Sequence, residues 1–204
     1  MEKETWGKNY PGRYLLELRR ILSLPFIQMM MRFYGVGWDP SWRIFGLPII
    51  QRFPGSSIKL GKGIDLRSWA RSNPVTPFAP NVLATRTKRA EINIGNGSGM
   101  TGASIIAAEN ITLGENVTLG SNSIIIDLDF HPVNVWEREL NPKTSSIKPV
   151  LIEDSVFIGT RSIILKGTTI GKNSVVGAGS VVSGRFPSNV ILAGNPAKVI
   201  KELE

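Results

Sequence analysis

From Ile152 to Val182 an aliphatic residue recurs at every sixth position: Ile152, Ile158, Ile164, Ile170, Val176 and Val182. A short period sustained through VLIEDSVFIGTRSIILKGTTIGKNSVVGAGSVVSG predicts a solenoid, in which every repeat contributes one equivalent side chain to a shared interior. Six residues are too few for a helical repeat. Four residues after each aliphatic stands a small or β-branched side chain, Val156, Ser162, Thr168, Ser174 and Ser180 in turn, which fits a strand, a corner and the next strand. Gly159, Gly171 and Gly177 directly follow three of the aliphatics, where a chain rounding a corner needs a positive φ or a close backbone approach. Three strands then close one triangular coil, and the aliphatics stack in columns along its axis. Full burial of each contributes roughly 1.5–3 kcal/mol, enough together to support a rod whose single repeats bury little alone.

The same rhythm appears upstream. Ile94, Met100 and Ile106 are six apart, the count slips by one, and Leu113 and Leu119 resume it, so a bulge or a corner change is expected between them. A weaker trace, Ile58 and Ile64 with Leu60 and Leu66 beside them, marks the expected first coil. The chain therefore divides into an N-terminal extension over 1–57 and a rod over 58–204, with a loop over 127–150 and a C-terminal tail over 187–204. Between the first coil and the main repeats, WARSNPVTPFAPNVLATRTKRA carries three prolines and interrupts the rhythm, as a loop or an extruded hairpin does.

Composition removes several chemistries. None of the 204 residues is cysteine, which excludes disulfides, thiolate metal sites and an acyl-cysteine intermediate. The net charge of +8 is uneven: residues 1–91 hold 15 Lys and Arg against 6 Asp and Glu, while the remainder is almost balanced. Such a basic attachment suits a membrane surface or an acidic substrate. No nucleic-acid motif and no run of basic and aromatic residues occurs within the repeats, so no nucleic acid is expected as partner.

Within that basic part, RYLLELRRILSLPFIQMMMRFY (13–34) has an amphipathic helical pattern, with Pro25 ending or kinking it. Its apolar run is too short to span a bilayer, which needs about 20 residues. Two roles fit the segment: covering the open end of the rod, or lying in a membrane interface. Arg19, Arg20, Arg32, Trp38, Trp42 and Arg43 mix basic and aromatic groups as interfacial segments do, so residues 13–45 are the expected place of peripheral membrane association.

The chemistry is expected where the rhythm stops. DLDFHPVNVWERELNPKTSSIKPV (127–150) has no hexad and contains the only histidine of the chain, His131. Long interruptions of a repeat rod are commonly working loops. A neutral imidazole takes a proton at neutral pH, and a neighbouring carboxylate orients the ring; Asp127 and Asp129 precede it at alternating spacing, and the spacing does not choose between them. A metal held by the same three residues would lack the several histidines or the glutamate of a catalytic zinc site, and none is expected.

The hexads, taken with DFHP, SVFIGTRSIILKGTTIGKNSVVGAGSVVSG and the terminal NVILAGNPAKVI, resemble the hexapeptide-repeat acyltransferases. The likeness is greatest to the sugar O-acetyltransferase branch that includes maltose and galactoside acetyltransferases and polysaccharide-modifying relatives. It covers about residues 92–204 well and 58–91 weakly. It implies an all-β fold, a left-handed parallel β-helix of hexapeptide repeats with an N-terminal amphipathic helical extension. It further implies a homotrimer with the active site in the cleft between neighbouring chains, and acetyl-CoA as co-substrate. His131 aligns with the general base that draws a proton from an acceptor hydroxyl as it attacks the thioester directly, with Asp129 and Asp127 beside it.

Residue by residue, Thr160 and Ala178 match the small residues against the pantetheine arm, and Phe157 stands where many relatives have Trp. Ser183, Gly184 and Arg185 replace the usual Thr-Lys-Asp, leaving Arg185 in place of a lysine contact to CoA. Lys198 and Lys201 occupy the terminal basic positions that meet its phosphates. On the acceptor side Thr101, Trp136 and Arg138 align, although GMTG replaces an Asn-rich coil and leaves the sugar open. The expected function is O-acetylation of a saccharide or a polysaccharide or lipid-linked precursor in the cytoplasm, at the inner face of the membrane. N-acylation of an amino sugar, O-acetylation of an antibiotic and a non-catalytic trimeric scaffold are the alternatives.

Overall fold

The computed structural model describes residues 12–132, 134–140 and 146–204. Its centre is a three-sided prism of parallel strands wound as a left-handed β-helix. Sheet A runs through Arg43–Phe45, Asp65–Arg67, Gly99–Thr101, Thr118–Leu119, Phe157–Ile158, Val175–Val176 and Val190–Gly194, and Ala197–Glu202 closes it antiparallel. Sheet B comprises Ile49–Gln51, Val82–Thr85, Ser104–Ala107, Ile124–Ile126, Ile163–Ile164 and Val181–Val182. Sheet C comprises Ser57–Leu60, Glu91–Ile94, Asn110–Leu113, Val150–Ile152, Thr169–Ile170 and Arg185–Phe186. Left-handed winding departs from the right-handed preference for parallel crossovers.

The six aliphatics at the sixfold period are all fully buried and stack as read: Ile158 pairs in register with Val176, Ile164 with Val182, and Ile152 with Ile170. Their companions are corner residues, and four of the five, all but Val156, carry hydroxyls that satisfy carbonyls at the corners. Ser162 donates to the Gly177 carbonyl at 3.0 Å, and Thr168 to that of Leu165 at 2.6 Å. The corner glycines serve close approach: a Cβ on Gly159 would lie 2.5 Å from the Ala178 amide nitrogen. The positive φ falls two residues later, on Arg161 at 58°.

Four expectations need correction. The rod begins before Ile58, because Arg43–Phe45 pairs with Asp65–Arg67 and Ile49–Gln51 pairs with Val82–Thr85. By the same pairing Val82–Thr85 is a rod strand, so the proline-rich interruption is confined to the residues before it. The register slip is the sum of two changes: Ile105, not Ile106, is the inward residue beside Ile125. The corner at Gly102 is thus one residue shorter than that after Leu119, and the following corner into Asn110–Leu113 is two residues longer than the standard hexad. Finally, Pro25 does not end the helix. α1 runs unbroken over Gly12–Phe33, and Pro25 is exposed, so the carbonyl its ring leaves unbonded faces water.

The N-terminal segment covers the first coil. Ile27 and Met31 of α1 join the core with Trp42 and Ile44. Trp42 is buried, its indole N–H donating to the Gly61 carbonyl at 2.6 Å, and Trp38 packs edge-on against it, so these two aromatics hold the rod and are not free for a membrane.

The outward faces differ. On sheet B the residues pointing away from the core include Ile49, Val82, Ile106, Ile124, Ile163 and Val181. The corresponding positions of sheet C include Lys59, Glu91, Asn93, Thr112, Thr169 and Arg185, with Leu151 the apolar exception.

Candidate active site

The loop that carries His131 leaves the rod at the edge between sheets B and C, directly after Ile124–Ile126. Its base is locked. Asp127 is 0% exposed, and its carboxylate accepts the amides of Ala108 at 2.6 Å and Glu109 at 2.8 Å. Burial pushes this carboxyl above the ordinary carboxylate range, and the amides of Ala108, Glu109 and Asn110 oppose the rise. The two limbs of the loop then pair. The Lys148 amide donates to the Asp127 carbonyl at 2.8 Å, Leu128 bridges Ile147 antiparallel, and the Asp129 amide donates to the Ser146 carbonyl at 3.0 Å. One coil further along the same edge, Lys166 reaches back to the Asp129 carboxylate at 2.5 Å.

Past this stem the chain turns outward. Phe130 and His131 are exposed, Pro132 is buried, and the short helix α2 (Val135–Leu140) follows, its first turn capped by Asn134 Oδ1 accepting the Trp136 amide at 2.9 Å. Trp136, 68% exposed, and Arg138 stand free on this helix. The two aspartates thus have separate tasks. Asp127 is spent inside the rod on backbone amides and is no partner for a surface imidazole, which corrects its expected place beside the ring. Asp129 fixes the stem through Lys166, a residue that sequence reasoning missed because it lies within a regular hexad.

Below this edge, on sheet C, is an open cavity of about 610 Å³ lined by residues that include Thr112, Lys148, Gly167, Thr169 and Arg185. Its charged lining residues are both basic, which suits a phosphorylated ligand. Ser183 is exposed at the same corner, two residues before Arg185. Among the described residues no group of three His, Asp or Glu side chains is placed to hold a metal.

The other nominated residues lie elsewhere. Thr160 and Ala178 are stacked on the edge between sheets A and B, where the Gly179 amide donates to the Thr160 carbonyl at 2.8 Å. Thr101 lies lower on that edge, buried, its hydroxyl taken by the Asn73 side-chain amide at 3.1 Å. Phe157 projects from the outer surface of sheet A, and Lys198 and Lys201 are exposed on its closing strand. The proline-rich segment climbs this A/B edge: the Phe78 amide donates to Asn122 Oδ1 at 2.8 Å, and the Arg161 guanidinium stands 4.8 Å from the Phe78 ring centroid, next to Thr160. Phe78, Asn122 and Arg161 were not legible as site residues; the three prolines were the only signal. The whole of sheet B separates the two groups, so one chain does not bring His131 to Thr160 and Ala178.

Residues 110–135 and 149–183, either side of the His131 loop's distal half, match the hexapeptide repeat of succinyl-transferase. Over 56 residues the chain is 54% identical to 2,3,4,5-tetrahydropyridine-2,6-dicarboxylate N-acetyltransferase of Clostridium perfringens, a match covering 28% of the chain and 24% of that enzyme. The match thus spans about a quarter of the length of such curated relatives. Among solved structures, a maltose O-acetyltransferase from Clostridium difficile 630 is 25% identical, with 93% of this chain and 89% of that one covered and a TM-score of 0.53. A hexapeptide-repeat acetyltransferase of Vibrio cholerae, solved with acetyl coenzyme A, shares the fold at 24% identity, with 74% and 72% covered and a TM-score of 0.54.

Proposed function

We propose that the protein is a CoA-dependent acetyltransferase that moves an acetyl group from acetyl-CoA directly to a saccharide hydroxyl, with His131 as general base. The observation that carries this reading is the stem of the loop. A buried aspartate, a paired backbone and the Asp129–Lys166 contact hold rigid the segment from which an exposed imidazole projects, at an edge lined by Lys148 and Arg185. Catalysis needs such fixed placement more than it needs an unusual side chain. In the step itself His131 accepts the hydroxyl proton as the oxygen bonds to the thioester carbonyl carbon; the C–S bond breaks, and the proton passes to the departing CoA thiolate. No cysteine takes part, since the chain has none.

The site is completed by a second copy. The apolar outer face of sheet B is the surface a neighbour would cover, and a threefold arrangement brings the His131 edge of one chain to the Thr160 and Ala178 edge of the next. In that cleft Lys148, Arg185 and the terminal Lys198 and Lys201 serve the CoA phosphates, and Trp136, Arg138, Phe78 and Arg161 face the acceptor. A second reading, N-acetylation of an amine, is favoured by the named activity of the Clostridium perfringens relative. The two differ in the acceptor only. Thiol release from acetyl-CoA across oligosaccharide, lipid-linked sugar and amino-sugar acceptors separates them. The His131→Ala variant is expected to lose about 10²–10⁴ in turnover with its assembly intact. Unchanged transfer by that variant would remove the mechanism.

A further inference from the structure

α1 meets the rod through Glu17 and Arg20 in its first half and through the buried Ile27 and Met31 in its second, and it turns a separate apolar side away. Glu17 is bonded to Arg20 at 2.7 Å and to Arg43 at 2.8 Å, and the Arg19 guanidinium lies 4.2 Å from the Trp69 ring centroid. On the opposite side Leu15, Leu18, Leu22, Met29 and Phe33 are between 52% and 82% exposed. Ile21 and Phe26, each 53% exposed, widen the stripe. At 100° per residue these positions fill an arc of roughly 140°, along a helix of 22 residues or about 33 Å. A contiguous exposed apolar surface of this size marks an interaction site.

We propose that this outward face of α1 docks on an anionic lipid surface, laying the helix flat in the headgroup region. Charge complementarity argues for it: residues 1–91 hold 15 Lys and Arg against 6 Asp and Glu, and Arg13 and Arg32 are exposed near the two ends of the helix. A helix of a second copy is the competing occupant, since Leu22, Phe26, Met29 and Phe33 alternate steps of four and three, and the test below separates the two. Among the described residues no helix is long and apolar enough to cross a membrane, which leaves the flat orientation. Polar groups on the inner side hold α1 to Arg43 and Trp69, so the rod follows the helix to the surface. None of this depends on acetyl transfer.

The test is co-sedimentation of the full chain with phosphatidylcholine vesicles, with and without about one third phosphatidylglycerol. The wild-type chain is expected to pellet with the anionic vesicles and to stay in solution with the neutral ones. The double variant Leu18→Asp/Leu22→Asp should lower the bound fraction roughly tenfold or more, with unchanged thermal unfolding because both side chains already face water. Arg13→Gln/Arg32→Gln should weaken binding to anionic vesicles by a smaller factor. The proposal is overturned by a wild-type chain that stays in the supernatant, by equal binding to both vesicle types, or by full binding of the leucine variant. It is equally overturned if that variant lowers the particle mass in light scattering without altering vesicle binding, which would make the occupant a second copy. Vesicle binding is read without substrate, so its failure leaves the catalytic reading untouched.

Discussion

Sheets B and C are built from the same repeats and bury the same kind of column, yet they show solvent opposite chemistry. Ile164 and Val182 inside sheet B are as fully buried as Ile170 inside sheet C. Outside, sheet B presents Ile49, Ile163 and Val181 where the next strands of sheet C present Lys59, Thr169 and Arg185; Leu151, after Ile124, is the apolar exception on sheet C. A rod needs only the inward residues to be right, so its outward residues are free to record what each face meets. In the proposed assembly sheet B meets another apolar surface. Sheet C records water, and toward its B edge a basic cavity beside the histidine loop.

The largest effect should come from charging sheet B. Ile124→Asp is expected to break the assembly and reduce transfer by about a hundredfold or more, since each site would lose the neighbour that completes it; light scattering and thiol release check it together. Lys59→Asp, the matching change on sheet C, should alter neither. If both variants keep the wild-type mass, the outward difference has no meaning for assembly.

The edge between the two sheets offers the next test. Asp127→Asn retains one acceptor oxygen where two amides donate, and the loss of a bond to a buried backbone N–H costs about 1–3 kcal/mol, measured by denaturant unfolding. The same variant tests the pH dependence. Burial raises the Asp127 carboxyl in the folded chain above its unfolded value, so the folded state favours the protonated form. Its contribution is fully present below the unfolded carboxylate range and is lost as pH rises through the raised value. The asparagine variant should lack that decline, and identical pH profiles of the two proteins would contradict it. The smallest effect on stability belongs to Lys166→Met. The pair with Asp129 is part-exposed, worth at most about 1 kcal/mol, while turnover should fall several-fold as the stem loosens.

How much of this was legible follows from which side of the rod a residue faces. The period of six located Ile152 to Val182 without error because each inward position is equivalent. It misplaced Ile106 because two corners of altered length, at Gly102 and before Asn110, leave a net slip of one residue and hide its components. The first coil escaped notice because Ile44 and Ile50 make a single hexad step, and the longer corner that follows, into Ile58, breaks the count before a second step can repeat it. His131 stood out as the lone histidine in a break of the pattern. Alternation along DLD did not separate the two aspartates, since what distinguishes them is a corner that turns Asp127 onto the amides of a lower coil and leaves Asp129 to a lysine of a higher one. The helix was legible as amphipathic, but not which face would turn inward. That was decided by partners distant in sequence, Arg43 and Trp69 for its first half and the core around Trp42 and Ile44, which takes Ile27 and Met31, for its second.

The central claim is that the His131 edge of one copy works with the Thr160 edge of another, and subunit mixing tests it most directly. His131→Ala and Thr160→Trp each disable one edge and are each expected to be inactive. When the two are unfolded together and reassembled, roughly a quarter of the sites should regain both wild-type edges, and thiol release from acetyl-CoA should return in that proportion. Mixed assemblies that form but stay inactive would contradict the account.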